Sequence, residues 1–181
     1  MNHINKFILF VVANGILLLI IGFFVRNDFD VEREIIIPKS ETQVFRYIKF
    51  LKNQEHFLEW IKKDAKIKKA YLGIDGQPGF VVLWESKEKK IGKFKQELVS
   101  VTENDRIQTK FHLDTPFQLD AKTVLKTEFI SNNFTRVSWK IHGNFNYPSN
   151  LKLLFVDMNL MLGTPLEVSL KNLKTSLQYS N

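Results

Sequence analysis

The chain begins with an unbroken apolar run. Residues 7–25 carry no charge and lie between Lys6 and Arg26. A helix of this length spans about 28 Å, close to the hydrocarbon thickness of a bilayer. No small-residue cleavage site follows the run, which disfavours a cleaved signal peptide, and a buried soluble helix would usually keep one polar face. We therefore expect residues 1–26 to form an N-terminal transmembrane anchor, followed by one domain over residues 27–181.

The charges beside the run leave its orientation open. Arg26, Arg33 and Lys39 slightly favour a cytoplasmic domain by the positive-inside rule. Acidic residues crowd the same flank, and a default signal anchor would send the domain outward. The sequence predicts a single-pass membrane protein without fixing the side of the domain.

The domain begins with one strand and two helices. Alternation in residues 31–38 predicts a strand that ends at Pro38. Ser40 and Gln43 match a capping box, and the apolar spacing after them predicts a helix over residues 41–51. A second short helix is expected around Trp60.

The middle of the chain has the two-residue period of strands, interrupted by turn residues. This pattern predicts an antiparallel meander with one face covered. The predicted strands are residues 66–72, 80–86, 92–102, 106–114, 117–130 and 134–145.

The C-terminal segment has a helical pattern with Gly163 and Pro165 inside it. We interpret this as a junction, with Gly163 ending one helix. Thr164 would cap the next helix, with Pro165 in its first turn and Glu167 completing a capping box. The leucines of this second helix form one stripe, which predicts a two-layer α+β domain with the helix lying on the sheet.

Four motifs carry a resemblance to a known family. They are V-L-W-E-S around Trp84, I-x-x-x-F-x-L-D-x-P-F over 107–117, T-R-V-S-W over 135–139, and F-V-D-M-N-L-M-L-G-T-P-L-E-V-S-L-K-N-L-K over 155–174. In this order they resemble the START-like superfamily, specifically SRPBCC or polyketide cyclase/dehydratase-like proteins, over roughly residues 29–178. The resemblance implies a helix-grip fold, in which a curved antiparallel sheet wraps around a long C-terminal helix. It also implies a cavity between them, which relatives use for lipids, sterols, polyketides or other apolar molecules.

Strand alternation and the resemblance together select a set of cavity candidates. The threonines in this set also suit strands simply because they are β-branched, and the two methionines fit an ordinary core as well as a lid. The candidates are Trp60, Trp84, Phe94, Thr109, Phe111, Phe117, Thr123, Trp139, Met158 and Met161.

Catalytic and metal-binding patterns are weak. The chain has no cysteine, which excludes disulfides and thiolate zinc sites. Alternation sends His112 and His142 to the outer face. Asp157 and Tyr47 are the acid/base candidates, although an acid such as Asp157 more often caps a helix or is solvated. We predict no catalytic residue, metal or cofactor.

The net charge of +7 arises partly from lysines concentrated between residues 62 and 95. On a tethered domain such lysines can contact acidic lipid headgroups. Protection of an exposed strand edge is the alternative, and nucleic acid is not expected because no binding motif accompanies the charge. The membrane-surface candidates are Lys66, Lys68, Lys87, Lys89, Lys90 and Lys93.

These patterns favour a membrane-anchored domain that binds an apolar small molecule or lipid between sheet and helix. Two alternatives stay open. One is a cyclase- or hydratase-type enzyme, and the other is a non-enzymatic interaction module whose grip is filled by its own aromatic side chains. The sequence leaves the oligomeric state undetermined.

Overall fold

A computed structural model describes residues 2–64, 66–89, 91–115 and 118–179. A long N-terminal helix leads into a seven-stranded sheet, and a C-terminal helix closes the domain. The elements are α1 (His3–Phe24), β1 (Asp28–Ile37), α2 (Glu41–Ile48), a 3-10 helix (Leu51–His56), α3 (Glu59–Lys62), β2 (Lys68–Leu72), β3 (Val81–Glu85), β4 (Lys93–Thr102), β5 (Arg106–Leu113), β6 (Leu119–Ser131), β7 (Phe134–Asn144), a second 3-10 helix (Ser149–Leu154), a π-helical turn (Asn159–Gly163) and α4 (Thr164–Tyr179).

The strands form one antiparallel sheet in the order β1-β7-β6-β5-β4-β3-β2. The predicted meander is confirmed from β2 to β7, and β1 closes the other edge by pairing with β7. Bulges interrupt the ladder between Leu98 and Ser100 and between Phe129 and Ser131. Bulges bend a strand and increase its twist, which suits a sheet that curves around a helix.

α4 covers the inner face of the sheet with the predicted leucine stripe. Its four leucines at this face are exposed by 3% or less, and full burial of such a side chain contributes about 1.5–3 kcal/mol. A curved antiparallel sheet holding a C-terminal helix is the helix-grip architecture that the resemblance implied. The leucines are Leu166, Leu170, Leu173 and Leu177.

The predicted junction at Gly163 and Pro165 is wrong. The π-helical turn runs directly into α4, and Thr164 has helical φ and ψ of −62° and −50° instead of an N-cap conformation. Proline has no N–H, and its ring crowds the carbonyl four residues earlier, so a widened turn just before Pro165 relieves that crowding. Gly163 serves packing: a Cβ there would lie 2.2 Å from Nη2 of Arg33.

The strand register shows which end of the sheet lies next to α1. Only residues 25–27 separate α1 from β1, so Asp28 marks this end. We call it the α1 end of the sheet. The register carries it across all seven strands, and the other strand ends on this side are Asn144, Leu119, Leu113, Lys93, Glu85 and Lys68.

Two glycines with left-handed φ differ in how closely other residues pack against them, which provides a test of the fold. Gly92 (φ 71°) is so close to the loop after β5 that a Cβ would lie 2.1 Å from the Thr115 carbonyl oxygen, whereas Gly79 (φ 89°) faces open space. We expect Gly79→Ala to cost about 1–2 kcal/mol from φ alone. Gly92→Ala should cost more than about 3 kcal/mol, because backbone must also move. Urea unfolding of the full chain in detergent measures both, and equal losses would contradict the close approach.

Candidate ligand-binding site

The sheet and the short helical elements beside α4 enclose a small apolar cavity. Its volume is ≈ 30 Å³, room for about one or two water molecules. Strands β4 to β7 provide the floor, and the 3-10 helix after α2, α3 and the π-helical turn provide the cover. The lining residues are Gln54, Leu58, Trp60, Phe94, Gln96, Phe111, Leu119, Thr123, Trp139, Ile141 and Leu162.

The cavity lies in the half of the domain nearer to the α1 end. Phe94 and Leu119 are within two residues of strand ends on that side. Trp60 and Phe111 are only partly buried, whereas the other lining side chains are buried. The two partly buried aromatic side chains therefore mark the margin of the cavity.

Three buried polar side chains form a hydrogen-bonded series on the floor. Gln96 Nε2 donates to Thr109 Oγ1 at 3.2 Å, and Thr109 Oγ1 lies 2.8 Å from Thr123 Oγ1. All three residues are exposed by 5% or less. In such a series the side chains satisfy one another's hydrogen-bonding groups, which fixes their rotamers. The apolar floor therefore carries one polar strip.

Two further polar atoms have no such partner. Gln54 Oε1 and Trp139 Nε1 are buried, and within the described part of the chain neither has a hydrogen-bond partner. Leaving a buried donor or acceptor unpaired costs about 1–3 kcal/mol. Both residues line the cavity, so its wall contains one unpaired donor and one unpaired acceptor.

Half of the predicted cavity residues line it. These are Trp60, Phe94, Phe111, Thr123 and Trp139. Thr109 lies behind the wall and reaches it through its hydrogen bonds to Gln96 and Thr123. Trp84 is fully buried and stacks on Phe94 with ring centroids 5.9 Å apart, so it supports the wall from outside the cavity. The prediction for Phe117 lies outside the described residues.

The two methionines do not form the lid. Met158 is buried beside the groove that α1 and β1 make with residues 153–159. Met161 packs against the core at its edge. Leu162, in the π-helical turn, is the side chain from this segment that lines the cavity.

Six lining residues are not among the predicted candidates: Gln54, Leu58, Gln96, Leu119, Ile141 and Leu162. The spacing of Leu51, Gln54 and Leu58 places Gln54 on the apolar face of a helical turn. A glutamine on such a face is a detectable signal, because a buried amide needs a partner or a purpose.

The acid/base candidates do not touch the cavity. Asp157 is exposed, and its Oδ1 accepts hydrogen bonds from the backbone N–H of Asn159 at 2.8 Å and of Leu160 at 3.2 Å. It therefore acts as a capping carboxylate. Tyr47 Oη lies 3.1 Å from His56 Nδ1, and burial raises the pKa of this phenol. Within the described part of the chain, no three His, Asp or Glu side chains are placed to hold a metal ion.

The predicted lysines come together at the α1 end of the sheet. Lys68 and Lys93 flank Glu85 across three neighbouring strands. The segments before β2 and after β3 are held together by a 2.6 Å hydrogen bond from Ser86 Oγ to Asp64 Oδ2. Lys66, Lys68, Lys87, Lys89 and Lys93 are all exposed, and Lys90 lies outside the described residues.

The outer face of the sheet carries a wider depression of ≈ 600 Å³, open to solvent. His112 and His142 lie there, as alternation predicted. His112 Nδ1 lies 2.6 Å from Asp120 Oδ1, and its Nε2 lies 3.0 Å from Asp114 Oδ1. The hydrogen bond to Asp120, and then that to Asp114, raise the pKa of the His112 imidazole above 6.5.

Comparison with known proteins identifies the fold. No protein-family model matches the chain, and no curated protein matches its sequence. Among solved structures, truncated norcoclaurine synthase from Thalictrum flavum has a TM-score of 0.69 at 9% identity, covering 87% of this chain and 98% of that chain. The same enzyme in complex with dopamine and hydroxybenzaldehyde has a TM-score of 0.65 at 10% identity, covering 90% and 94%. The Aha1 dimer from Colwellia psychrerythraea has a TM-score of 0.57 at 14% identity, covering 83% and 97%.

These likenesses show a START-like helix-grip fold, in agreement with the resemblance drawn from the sequence. The chain adds to this fold an N-terminal helix, α1, that is long and apolar enough to cross a membrane. Gly22 is its one buried residue.

The environment of His112 makes a pH-dependent prediction. Because the pKa is raised in the folded state, the interaction stabilises the fold fully below pH 6.5 and is lost as the pH rises through the folded-state pKa. The side chain is 43% exposed, so the contribution should stay below about 1 kcal/mol. Asp120→Asn should lower the pKa, measured by imidazole NMR titration. An unchanged titration would show that Asp120 does not hold the proton.

Proposed function

We propose that this chain is a single-pass membrane protein, with residues 1–26 as its anchor, whose helix-grip domain of residues 27–181 binds a small apolar molecule carrying a polar group. The observation that supports this is the pair of unpartnered buried atoms, Gln54 Oε1 and Trp139 Nε1, on residues that line a largely apolar cavity. A hydroxyl can both donate and accept, so it suits both atoms.

The size of the cavity limits how such a ligand enters. Ligand sites usually measure about 300–1,000 Å³, and this one is ≈ 30 Å³. Entry therefore requires the cover to move. Trp60 lies on α3, a helix of only four residues, which joins α4 through a hydrogen bond from the Glu59 N–H to Ser169 Oγ at 2.9 Å. We propose α3 as the part of the cover that opens.

A structural neighbour supports a small aromatic ligand class. The norcoclaurine synthase with this fold was solved with dopamine and hydroxybenzaldehyde, two small aromatic molecules that carry hydroxyl groups. The aromatic lining of this cavity, with Trp60, Phe94 and Trp139, suits a ring by stacking or edge contact. The anchor keeps the domain beside a bilayer, where apolar molecules concentrate.

The exposed lysines at the α1 end of the sheet agree with a domain held beside a bilayer. Exposed lysines near an anionic membrane surface contribute about 1 kcal/mol each. We propose that Lys66, Lys68, Lys87, Lys89 and Lys93 face acidic headgroups and help to hold the domain against the membrane.

A filled helix grip is the second candidate. The small volume of the cavity favours it, because a core packed to ordinary density leaves few voids larger than a water molecule. In that case the domain acts through its surface as an interaction module and binds nothing inside.

Two probes that differ only in one hydroxyl group distinguish the ligand-binding site from the filled grip. We expect 2-naphthol to bind the detergent-solubilised full chain about tenfold more tightly than naphthalene, since one buried hydrogen bond contributes about 1 kcal/mol or somewhat more. Trp139→Phe should abolish this preference. Trp84→Phe is the matched control, because Trp84 Nε1 is also buried without a partner but lies outside the cavity.

Calorimetric titration measures both affinities. Saturable binding with the preference lost only in Trp139→Phe supports the internal site. Absence of saturable binding for both probes supports the filled grip. Equal loss in both tryptophan variants would contradict the assignment of Trp139 as the donor.

The anchor itself makes a separate prediction. The full chain should stay in the membrane pellet after alkaline carbonate extraction, because a span of this length and apolarity inserts stably. A chain lacking residues 2–26 should leave that pellet. Extraction of the full chain by carbonate would contradict the anchor.

A further inference from the structure

Four apolar side chains project into solvent from one short segment of the domain. Phe155 is 79% exposed, Leu160 72%, Leu154 49% and Val156 37%. We call these four residues the apolar ridge. Contiguous exposed apolar surface of this kind marks a contact with another apolar phase.

The segment that carries the ridge is fixed to the end of α1. Asn150 is fully buried, and its Nδ2 donates to the carbonyl oxygens of Gly22 at 2.7 Å and Val25 at 3.1 Å. Gly22 belongs to the last turn of α1 and Val25 is its C-cap, where no intrahelical donor remains. Gly22 allows the close approach, because a Cβ there would lie 3.0 Å from the Leu151 side chain.

Further contacts set the depth of this segment along α1. Tyr147 Oη donates to the carbonyl oxygen of Leu19 at 3.3 Å, and its ring meets Phe23 edge-on at 5.6 Å. Leu19 lies about 7.5 Å inside the helix from Phe24. The whole of α1 is about 33 Å long, slightly more than a hydrocarbon core of about 30 Å. Residues beside its final turns therefore lie at the boundary between headgroups and acyl chains.

We infer that the apolar ridge inserts into the headgroup region of the bilayer that α1 spans. The inference rests on the proposed anchor and adds a second membrane contact to it. Apolar side chains at such a boundary bury themselves about 5–10 Å into the interface. The ridge has little charge to oppose this: from Ser149 to Met161 only Lys152 and Asp157 are charged, and Asp157 is engaged in capping.

The ridge is joined directly to the cavity wall. Leu162, which lines the cavity, follows Leu160 by two residues. Insertion of the ridge would bring this part of the cavity cover to the membrane surface. An apolar ligand could then pass between the bilayer and the cavity without crossing open water. This placement makes the bilayer the source of the ligand.

Depth-dependent quenching tests the inference on the full chain. The protein contains no cysteine, so single-cysteine variants carry one fluorophore without background. The label is placed at Phe155→Cys on the ridge, at Ile16→Cys within α1, and at Phe129→Cys, whose side chain is 61% exposed at the opposite end of the sheet. The vesicles are phosphatidylcholine with phosphatidylglycerol, and nitroxide lipids carry the quencher either near the headgroup or deep in the acyl chain.

We expect the Phe155→Cys label to lose most of its emission to the shallow nitroxide and the Phe129→Cys label to lose none. The Ile16→Cys label should be quenched by the deep nitroxide. Quenching at Ile16→Cys without quenching at Phe155→Cys would overturn the ridge insertion and leave the anchor intact. If neither label is quenched, the anchor is wrong and the inference falls with it.

Two further variants test the docking that positions the ridge. Gly22→Leu should reduce shallow quenching at Phe155→Cys, because its side chain displaces Leu151. Gly15→Leu is the matched control, since a Cβ at Gly15 has no neighbour within 4 Å. Asn150→Ala removes the two hydrogen bonds without adding volume and should give the same loss. Unchanged quenching in both Gly22→Leu and Asn150→Ala would overturn the role of docking.

Discussion

The apolar inner face of the sheet must be covered, and the arrangement of the domain depends on how α4 covers it. Where α4 packs against β1, the side chains of its leucine stripe are buried. Toward the α1 end the cover passes to shorter elements: α3, a 3-10 helix and a π-helical turn. Short elements bring fewer contacts and have less cooperative support. It is under these elements that the cavity and its unpartnered polar atoms lie.

Alternation and helical spacing predicted most of the fold because these periods reflect local geometry. The strands lie where side chains alternate between apolar and polar from one turn to the next. The same alternation correctly predicted that Thr123 and Trp139 lie on the inner face of the sheet. The error at Gly163 has a different origin. Its sequence matches a helix end followed by a capping box, but the position is decided by Arg33, which is distant in sequence and occupies the space that a side chain would need.

The sequence predicted a cavity between the sheet and its helical cover, but it did not predict the volume of that cavity. Parity assigns a side chain to a face, whereas volume depends on how side chains from unconnected elements fill one space. Leu58, Trp60 and Leu162 reach the cavity from segments about one hundred residues apart. The contact of Asn150 with the carbonyls of α1 could not be predicted either, since Pro148-Ser149-Asn150 has the composition of an ordinary turn.

The connection between helix and domain has a mechanical consequence. Only residues 25–27 separate α1 from β1, and Asn150 and Tyr147 fasten the domain to the helix on a second side. A longer flexible tether would let the domain swing through a hemisphere around its attachment point. Fastened at two points, the domain instead moves with its helix as one body. With α1 in a bilayer, as we propose, its encounters would become a two-dimensional search within the plane of the membrane. Lateral diffusion would then set the rate of meeting, and rotation about the helix axis would set the direction that the domain faces.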